Sequence, residues 1–313
     1  MRKILTVLAV LAVIVLIVAG IGQWLNSSGP GKSPTPPGKD GSGQETEATS
    51  PNPPSCVDYE VISIPGTWES KADDDPVNPT ANPRSLMLHV TRPLQEQTDP
   101  AKVKVWTVPY VAQFRNINDQ KQMSYDDSRK QGLGRVVGEM QKMNSECPAT
   151  KFVLAGFSQG AVIAGDLASN IGNGQGPVDP SLVAGVALIA DGRQEPQHGE
   201  LVGNKANRGI GAEVTLHPVN ALVQPIVPGA TMRGGRPDGF GALDARVMNF
   251  CAPGDTVCDA PRHIGDALSR AREYAEMNGI HAHYDTNRDV VDGMTAPEWI
   301  VNWVKDLTSQ PIR

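Results

Sequence analysis

The chain has 313 residues and a formal net charge of −6 at neutral pH. This acidic balance argues against a general nucleic-acid-binding surface, because such surfaces are basic. The length would allow more than one domain, but the composition changes sharply along the chain and only part of it is typical of a globule.

The first segment is apolar. Arg2 and Lys3 precede an uncharged run from Ile4 to Ile21. That run is long enough to cross a bilayer and longer than the usual signal-peptide core, and no clear Ala-x-Ala cleavage site follows it. We therefore predict an uncleaved signal anchor over residues 1–25, with a cleaved signal peptide as the alternative. Either way the basic residues stay in the cytoplasm, so the remainder is exported.

Residues 26–55 are rich in Pro, Gly, Ser, Thr and Lys and contain almost no apolar side chains. Such a segment buries too little surface to offset its chain entropy, which predicts a disordered tether. The remaining part, residues 56–313, suits a single α/β domain. Its segments typical of buried strands are Tyr59–Ile64, Lys102–Val108, Lys151–Gly156, Val183–Ala190 and Arg246–Phe250.

Helical patterns fall between these strands. An apolar repeat runs from Leu86 to Leu94, although Pro93 should disturb the end of that helix. Further helices are predicted around Leu133–Met143, from Gly160 to Ile171, from Ile264 to a stop at Gly279, and from near Thr295 to beyond Leu307. Alternating strands and helices predict a central, mostly parallel sheet flanked by helices on both faces.

About fifty residues, 191–245, fit this alternation poorly because prolines and glycines interrupt their apolar stretches. We interpret them as a long irregular insert. Long loops in compact domains are often functional, so the insert is either a lid or wall over a site or a packed surface excursion.

The cysteines, Cys56, Cys147, Cys251 and Cys258, all lie in the exported part. An even number there favours two disulfides, for which three pairings exist. A zinc site is the alternative, but the closely spaced Cys-x2-Cys pairs of structural zinc sites are missing.

Ser158 lies in the sequence GFSQG, between a predicted strand and a predicted helix. Gly-x-Ser-x-Gly is short enough to arise by chance, but the strand–turn–helix context is that of a nucleophile elbow. The N-terminus of the following helix would stabilise an oxyanion, with the N–H of Gln159 as the first donor. The alternative is a polar residue in a tight turn.

A nucleophilic serine needs a base and an acid. In sheets of this type the acid follows a later strand and the histidine follows the acid, which selects Asp255 in CAPGDTVC. The return loop IHAHYDTN then offers His281 and His283 as bases. A disulfide between Cys251 and Cys258 would hold the acid rigidly.

These residues resemble the cutinases and cutinase-like serine esterases of the α/β-hydrolase fold. PGTWES, GFSQG, CAPGDTVC, HAHY and VPYVAQ all resemble motifs of that family. The resemblance implies the disulfides Cys56–Cys147 and Cys251–Cys258. It also implies a triad of Ser158, Asp255 and His281 with oxyanion donors from Thr67 and Gln159. Thr67 departs from the commoner serine but keeps the hydroxyl.

The anchor, tether and insert are similar to those of envelope-anchored cutinase-like lipases and thioesterases of mycolic-acid-bearing actinobacteria, which hydrolyse phospholipid esters and acyl thioesters. We therefore expect a monomeric serine esterase that acts on lipid-like acyl substrates, is attached to the membrane by its N-terminus and needs no metal or organic cofactor. Two alternatives remain at this point: an acyltransferase that uses the same triad with an alcohol acceptor, and a catalytically inactive envelope-binding protein.

Overall fold

The computed structural model describes residues 52–115, 119–203, 205–207, 209–225, 227–263 and 279–309. The predicted anchor, nearly all of the predicted tether and the helix predicted from Ile264 lie outside the described residues. Within the described ranges, no helix combines the length and the apolar character needed to cross a membrane.

A parallel sheet forms the centre of the described domain. Its strands lie in the order β2-β1-β3-β4-β6-β5, and every neighbouring pair runs parallel. The bounds are β1 Tyr59–Ile64, β2 Val103–Thr107, β3 Lys151–Phe157, β4 Val183–Ile189, β5 Glu200–Leu201 and β6 Val247–Phe250. The strands other than β5 lie where apolar, β-branched runs predicted them. Both faces of a parallel sheet are covered, so its strands are continuous apolar runs that the sequence reveals.

Helices cover both faces of this sheet. Among the described residues these are α1 Leu88–Gln97, α2 Tyr125–Glu146, α3 Gln159–Gly172 and α6 Ala296–Ser309, while the insert contains the short helices α4 Ala212–Leu216 and α5 Asn220–Val223. Alternate residues of each strand face opposite sides, so two apolar cores result. One core packs α1 and α6 against Val61, Val153 and Ala187, and the other packs α2 and α3 against Ile62, Leu154 and Val186. The predicted α/β architecture, a central, mostly parallel sheet flanked by helices, is confirmed.

Local signals account for several helix ends. The Ser124 side chain accepts a hydrogen bond from the N–H of Asp127 at the start of α2. Thr295 and Glu298 cap the start of α6 reciprocally, with distances of 3.2 and 2.9 Å. The expectation that Pro93 disturbs the end of its helix was wrong, because α1 continues through Pro93 to Gln97. Pro93 has no N–H to donate within the helix. The packing of Leu94, which is fully buried in the core, offsets that missing hydrogen bond.

The insert packs against the domain rather than extending from it. It supplies β5, the edge strand that the sequence did not predict, which pairs with Met248 and Asn249 of β6. Farther along, Ile210 forms an antiparallel bridge with Ala260, and the N–H of Ala212 donates to the carbonyl of Val257. The insert therefore supports the loop after β6, which favours the packed-excursion interpretation.

A buried cluster of charges ties the insert to α3. The Asp166 carboxylate of α3 accepts hydrogen bonds from three arginines of the insert, namely Arg193 at 2.7 Å, Arg236 at 3.2 Å and Arg233. Burial alone would raise the pKa of Asp166, but the guanidinium charges lower it to about 2. The carboxylate therefore stays ionised and neutralises part of the positive charge that the insert brings.

Both disulfides connect the cysteines that the resemblance implied. Cys56 pairs with Cys147, and Cys251 pairs with Cys258. The first joins the segment before β1 to the end of α2, and the second closes the short loop after β6. Because all four thiols are used, the zinc-site alternative is excluded.

Candidate active site

Ser158 occupies a sharp turn between β3 and α3. Its backbone has φ 54° and ψ −117°, a region that non-glycine residues rarely adopt. The N–H of Ser158 donates to the carbonyl of Ile189 at 2.8 Å, which fixes the turn to the end of β4. The side chain is thereby held at the carboxyl edge of the sheet, as a nucleophile elbow requires.

The glycines of the motif allow this turn. A Cβ atom on Gly156 would lie 2.3 Å from the carbonyl oxygen of Gly160, and one on Gly160 would lie 2.0 Å from the carbonyl oxygen of Ile64. Any side chain would push apart β3, α3 and the end of β1. The spacing of the glycines is therefore a packing requirement of the elbow, which explains why they flank the serine.

The predicted acid lies in the disulfide-closed loop after β6. Asp255 is 1% exposed, and its carboxylate accepts a hydrogen bond from the N–H of Val257 at 3.0 Å. The backbone of this loop is tied by a hydrogen bond from the N–H of Asp255 to the carbonyl of Ala252. The disulfide and these bonds hold the carboxylate in one orientation.

His281 joins the acid to the serine. Its Nδ1 lies 2.9 and 3.1 Å from the two carboxylate oxygens of Asp255, and its Nε2 lies 3.0 Å from Ser158 Oγ. Because a carboxylate only accepts, Nδ1 carries the proton and Nε2 is left to accept from the serine hydroxyl. Phe157 stacks beneath the imidazole with ring centroids 5.0 Å apart. The structure thus brings the three predicted residues into one hydrogen-bonded chain.

The other described histidines lie elsewhere. His283, the second candidate base, contacts the carbonyl of Gly279 through Nδ1. His89 lies 3.9 Å from the carboxylate of Asp285, and His198 lies 3.6 Å from that of Asp244. The ring of His217 contacts the carbonyl of Met232 in the insert. His263 is exposed. Of the two histidines of the return loop, His281 is the one that contacts both Asp255 and Ser158.

Tyr284 is a site residue to which the sequence analysis assigned no role. Its side chain is fully buried, and its hydroxyl donates to Asp255 Oδ2 at 2.7 Å while accepting from the N–H of Ala252 at 2.9 Å. Burial and the neighbouring charge of Asp255 raise the pKa of Tyr284, so the hydroxyl remains a donor. Its signal was the tyrosine of HAHY, three positions after His281.

We expect Tyr284→Phe to lower kcat about tenfold and to destabilise the fold. The substitution keeps the ring but removes a hydrogen bond to a buried carboxylate, worth about 1.5–3 kcal/mol, and leaves the N–H of Ala252 unpaired. Steady-state kinetics with a p-nitrophenyl ester and thermal unfolding test both effects. Tyr59→Phe, at the far end of β1, is the control; equal kinetics for wild type and Tyr284→Phe would contradict the assignment.

The predicted oxyanion residues meet beside the serine. Thr67 Oγ1 donates to Gln159 Oε1 at 3.1 Å, and Gln159 Nε2 donates to Ser128 Oγ at 2.8 Å. The side chain of Gln159 is 2% exposed and connects the loop after β1 to α2. Its backbone N–H belongs to the first turn of α3, where an N–H has no acceptor within the helix. The arrangement therefore leaves this N–H free to bind a developing negative charge.

The loop that carries Thr67 has its own support. The carboxylate of Glu69 accepts from the N–H of Gly66 at 2.9 Å, from the N–H of Leu86 at 2.8 Å and from Ser85 Oγ at 3.1 Å. Burial raises the pKa of Glu69 above its ordinary value, although these hydrogen bonds oppose that change. Glu69 thus positions the loop from behind.

An open groove of about 550 Å³ contains Ser158, His281 and Thr67. Its lining combines an apolar set with a polar set, the former being Trp68, Leu86, Phe114 and Phe157 and the latter Glu69, Asn82, Arg84 and Asp285. No described residue of the insert lines it, so the described part of the insert forms no lid over the serine.

A strained serine lies at the carboxyl edge of a parallel sheet and is hydrogen-bonded in series to a histidine and a buried aspartate. This arrangement defines the serine hydrolase class of α/β-hydrolases. Comparison with known proteins narrows this class. The sequence pattern of the cutinase family matches residues 79–283. A carboxylesterase Culp6 homolog of Corynebacterium glutamicum is 55% identical over 307 residues, covering 98% of this chain and 99% of the relative.

Two solved structures are also similar. An acetylxylan esterase determined at 0.90 Å resolution is 18% identical, with a TM-score of 0.48 over 81% of this chain and 100% of that chain. A cutinase-like protein from Cryptococcus sp. is 17% identical, with a TM-score of 0.42 over 77% of this chain and 98% of that chain. From the family match and the corynebacterial relative, the chain belongs to the cutinase family and is a serine carboxylic ester hydrolase.

Proposed function

We propose that this enzyme hydrolyses lipid-like acyl esters or thioesters outside the cytoplasmic membrane, through Ser158, His281 and Asp255. The observation that carries the proposal is the continuous hydrogen-bonded series from Asp255 to His281 to Ser158 at the base of an open, partly apolar groove. A serine held in this way is activated for attack on a carbonyl carbon.

The first half of the reaction forms an acyl-enzyme. Ser158 Oγ attacks the acyl carbonyl while His281 Nε2 takes the hydroxyl proton, since these two atoms already lie 3.0 Å apart. Asp255 stabilises the imidazolium that results and keeps its ring oriented. The bond to the leaving alcohol or thiol then breaks, and His281 returns the proton to it.

The second half regenerates the enzyme. A water molecule attacks the acyl-enzyme, His281 accepts its proton and then passes it to Ser158 Oγ as the carboxylic acid leaves. In both halves the oxyanion is bound by the backbone N–H groups of Gln159 and Thr67, at the junction between the N-terminus of α3 and the loop after β1, since the Thr67 hydroxyl already donates to Gln159 Oε1. Donors fixed in this way need little reorganisation as charge develops, which is why they lower the barrier.

The groove supports an amphipathic substrate. Its lining contains four apolar side chains together with charged residues, among them Arg84 and Asp285. An apolar acyl chain attached to a polar head group matches such a surface better than a wholly polar ester does. The openness of the groove to solvent also suits a substrate that is presented at a lipid surface.

The disulfides support an extracytoplasmic location. Such bonds persist in oxidising compartments and are rare in the cytosol. Export would follow from the apolar N-terminal run, which we propose remains as the membrane attachment and places the catalytic domain beyond the tether.

A substrate panel tests this function. Full-length protein in mild detergent is incubated with p-nitrophenyl esters, a phospholipid, an acyl-CoA and a triacylglycerol, and released product is quantified beside the Ser158→Ala variant. We expect the wild type alone to turn over p-nitrophenyl esters and at least one lipid-like substrate. Turnover confined to short water-soluble esters would contradict the lipid-like assignment, and products formed with added glycerol would separate acyl transfer from hydrolysis.

A further inference from the structure

Trp68 has an unusual backbone. Its φ is 65°, and among the described residues only Ser158 and Ala190 share a positive φ without being glycine. A bulky side chain in this region is a genuine outlier, and such strain persists where the surroundings impose it. A glycine would adopt the same φ without that strain, yet the chain carries its largest type of side chain here.

Hydrogen bonds hold Trp68 in this conformation at three points. Its N–H donates to the carbonyl of Ala112 at 2.6 Å, and its own carbonyl accepts from Asn82 Nδ2 at 3.2 Å. The indole Nε1 donates to Gln122 Oε1 at 2.8 Å. Because the polar groups are engaged, the ring has a fixed position and its orientation costs little further entropy when a ligand binds.

The indole is nevertheless left uncovered. Trp68 is 58% exposed, although its position beside Thr67 places it in the active-site groove together with Leu86 and Phe114. A rigid aromatic face left in water loses the stabilisation that burial would give. The uncovered side chain therefore borders the same groove as Ser158.

From these contacts we infer that Trp68 is a specificity-determining residue, whose indole face binds the apolar acyl chain of the substrate and sets a preference for long acyl groups. The inference rests on the proposed ester hydrolase function of the same groove. The strained backbone directs the ring toward the groove, and the hydrogen bond to Gln122 prevents it from folding away. Binding of the chain covers apolar surface on both partners, which lowers KM for long acyl esters.

The test compares full-length wild type with Trp68→Ala and Trp68→Phe on p-nitrophenyl acetate and p-nitrophenyl laurate. For Trp68→Ala we expect kcat/KM on laurate to fall at least about tenfold, mainly through KM, while acetate changes less than about threefold. Trp68→Phe should keep most of the laurate activity, since an aromatic face remains. Val77→Ala, an exposed apolar residue outside the groove, is the matched control.

Equal losses on acetate and laurate would overturn the inference, because Trp68 would then serve only to shape the oxyanion loop. An unchanged laurate rate would overturn it as well. A second measurement does not need turnover. Addition of p-nitrophenyl laurate should change the tryptophan fluorescence of Ser158→Ala but not that of Ser158→Ala/Trp68→Phe. If the wild type hydrolyses no ester, the proposed function fails, and this fluorescence comparison still decides the role of Trp68.

Discussion

Ser158→Ala is expected to lower kcat for ester hydrolysis by about 10⁴-fold or more while leaving the fold intact. Removal of a triad nucleophile costs this much because His281 and Asp255 then have no proton to move, whereas the oxyanion donors and the groove still bind substrate. KM should change little. The measurement is steady-state kinetics on p-nitrophenyl butyrate, with circular dichroism to show that the variant is folded.

Ser145→Ala provides the matched control, since Ser145 is an exposed serine near the end of α2 whose hydroxyl donates to the carbonyl of Lys142 in the same helix. It should retain wild-type kinetics. A fluorophosphonate probe gives an independent readout and should label wild type and Ser145→Ala but not Ser158→Ala. Residual activity within tenfold of wild type in Ser158→Ala would show that another group is the nucleophile.

The sequence predicted the triad because each member lies in a local pattern with its own physical reason. Ser158 is flanked by glycines that the elbow requires, Asp255 by a pair of cysteines that fix its loop, and His281 follows at the next return of the chain to the sheet. Five of the six described strands were equally predictable, because a strand covered on both faces needs a continuous apolar run.

Other features depend on contacts between distant segments and leave no local pattern. Strand β5 is two residues long and contains one polar and one apolar residue, so nothing in Glu200–Leu201 indicates a strand. The position of Trp68 likewise depends on Ala112 and Gln122, which the sequence places far from it. Tyr284 is the last residue of the HAHY motif, but its hydrogen bond to Asp255 depends on how the return loop packs against the loop after β6.

The buried charge cluster is the clearest case of such a feature. Asp166 is one aspartate within an otherwise ordinary helix, and its partners are scattered along the insert. In the folded chain, Arg236 also donates to Asp191 at 2.7 Å, and Arg233 to Glu213 at 3.0 Å. Each of these carboxylates thus faces at least one guanidinium group. The positive charges of the insert are neutralised by several carboxylates together, and this shared set of ion pairs holds the insert to α3.

Asp166→Asn is therefore expected to destabilise the domain by about 3–5 kcal/mol at pH 7, since removal of one partner leaves the buried arginines uncompensated. The pKa of Asp166 falls to about 2 in the folded state, below its value of about 3.9 in an unfolded chain. A depressed pKa adds stability that is fully present above about pH 4 and is lost as the pH falls toward 2, and for this group it amounts to about 2 kcal/mol. The free energy of unfolding of wild type should therefore fall by this amount as the pH is lowered. Asp166→Asn should not lose this contribution, because it has no carboxylate at position 166.

Urea unfolding at pH 7 and at steps between pH 5 and pH 2 measures both effects. The matched control is Asp238→Asn, which removes an exposed carboxylate of the same insert that takes part in no described ion pair. We expect the control to unfold within about 0.5 kcal/mol of wild type. If Asp166→Asn and Asp238→Asn unfold at the same urea concentration, the apolar packing of α3 and β5 holds the insert without the charge cluster. A free energy of unfolding for Asp166→Asn that lies far below that of wild type at pH 5, with the difference shrinking by about 2 kcal/mol toward pH 2 because only wild type loses the Asp166 contribution, would instead establish these charges as the attachment of the insert to the catalytic core.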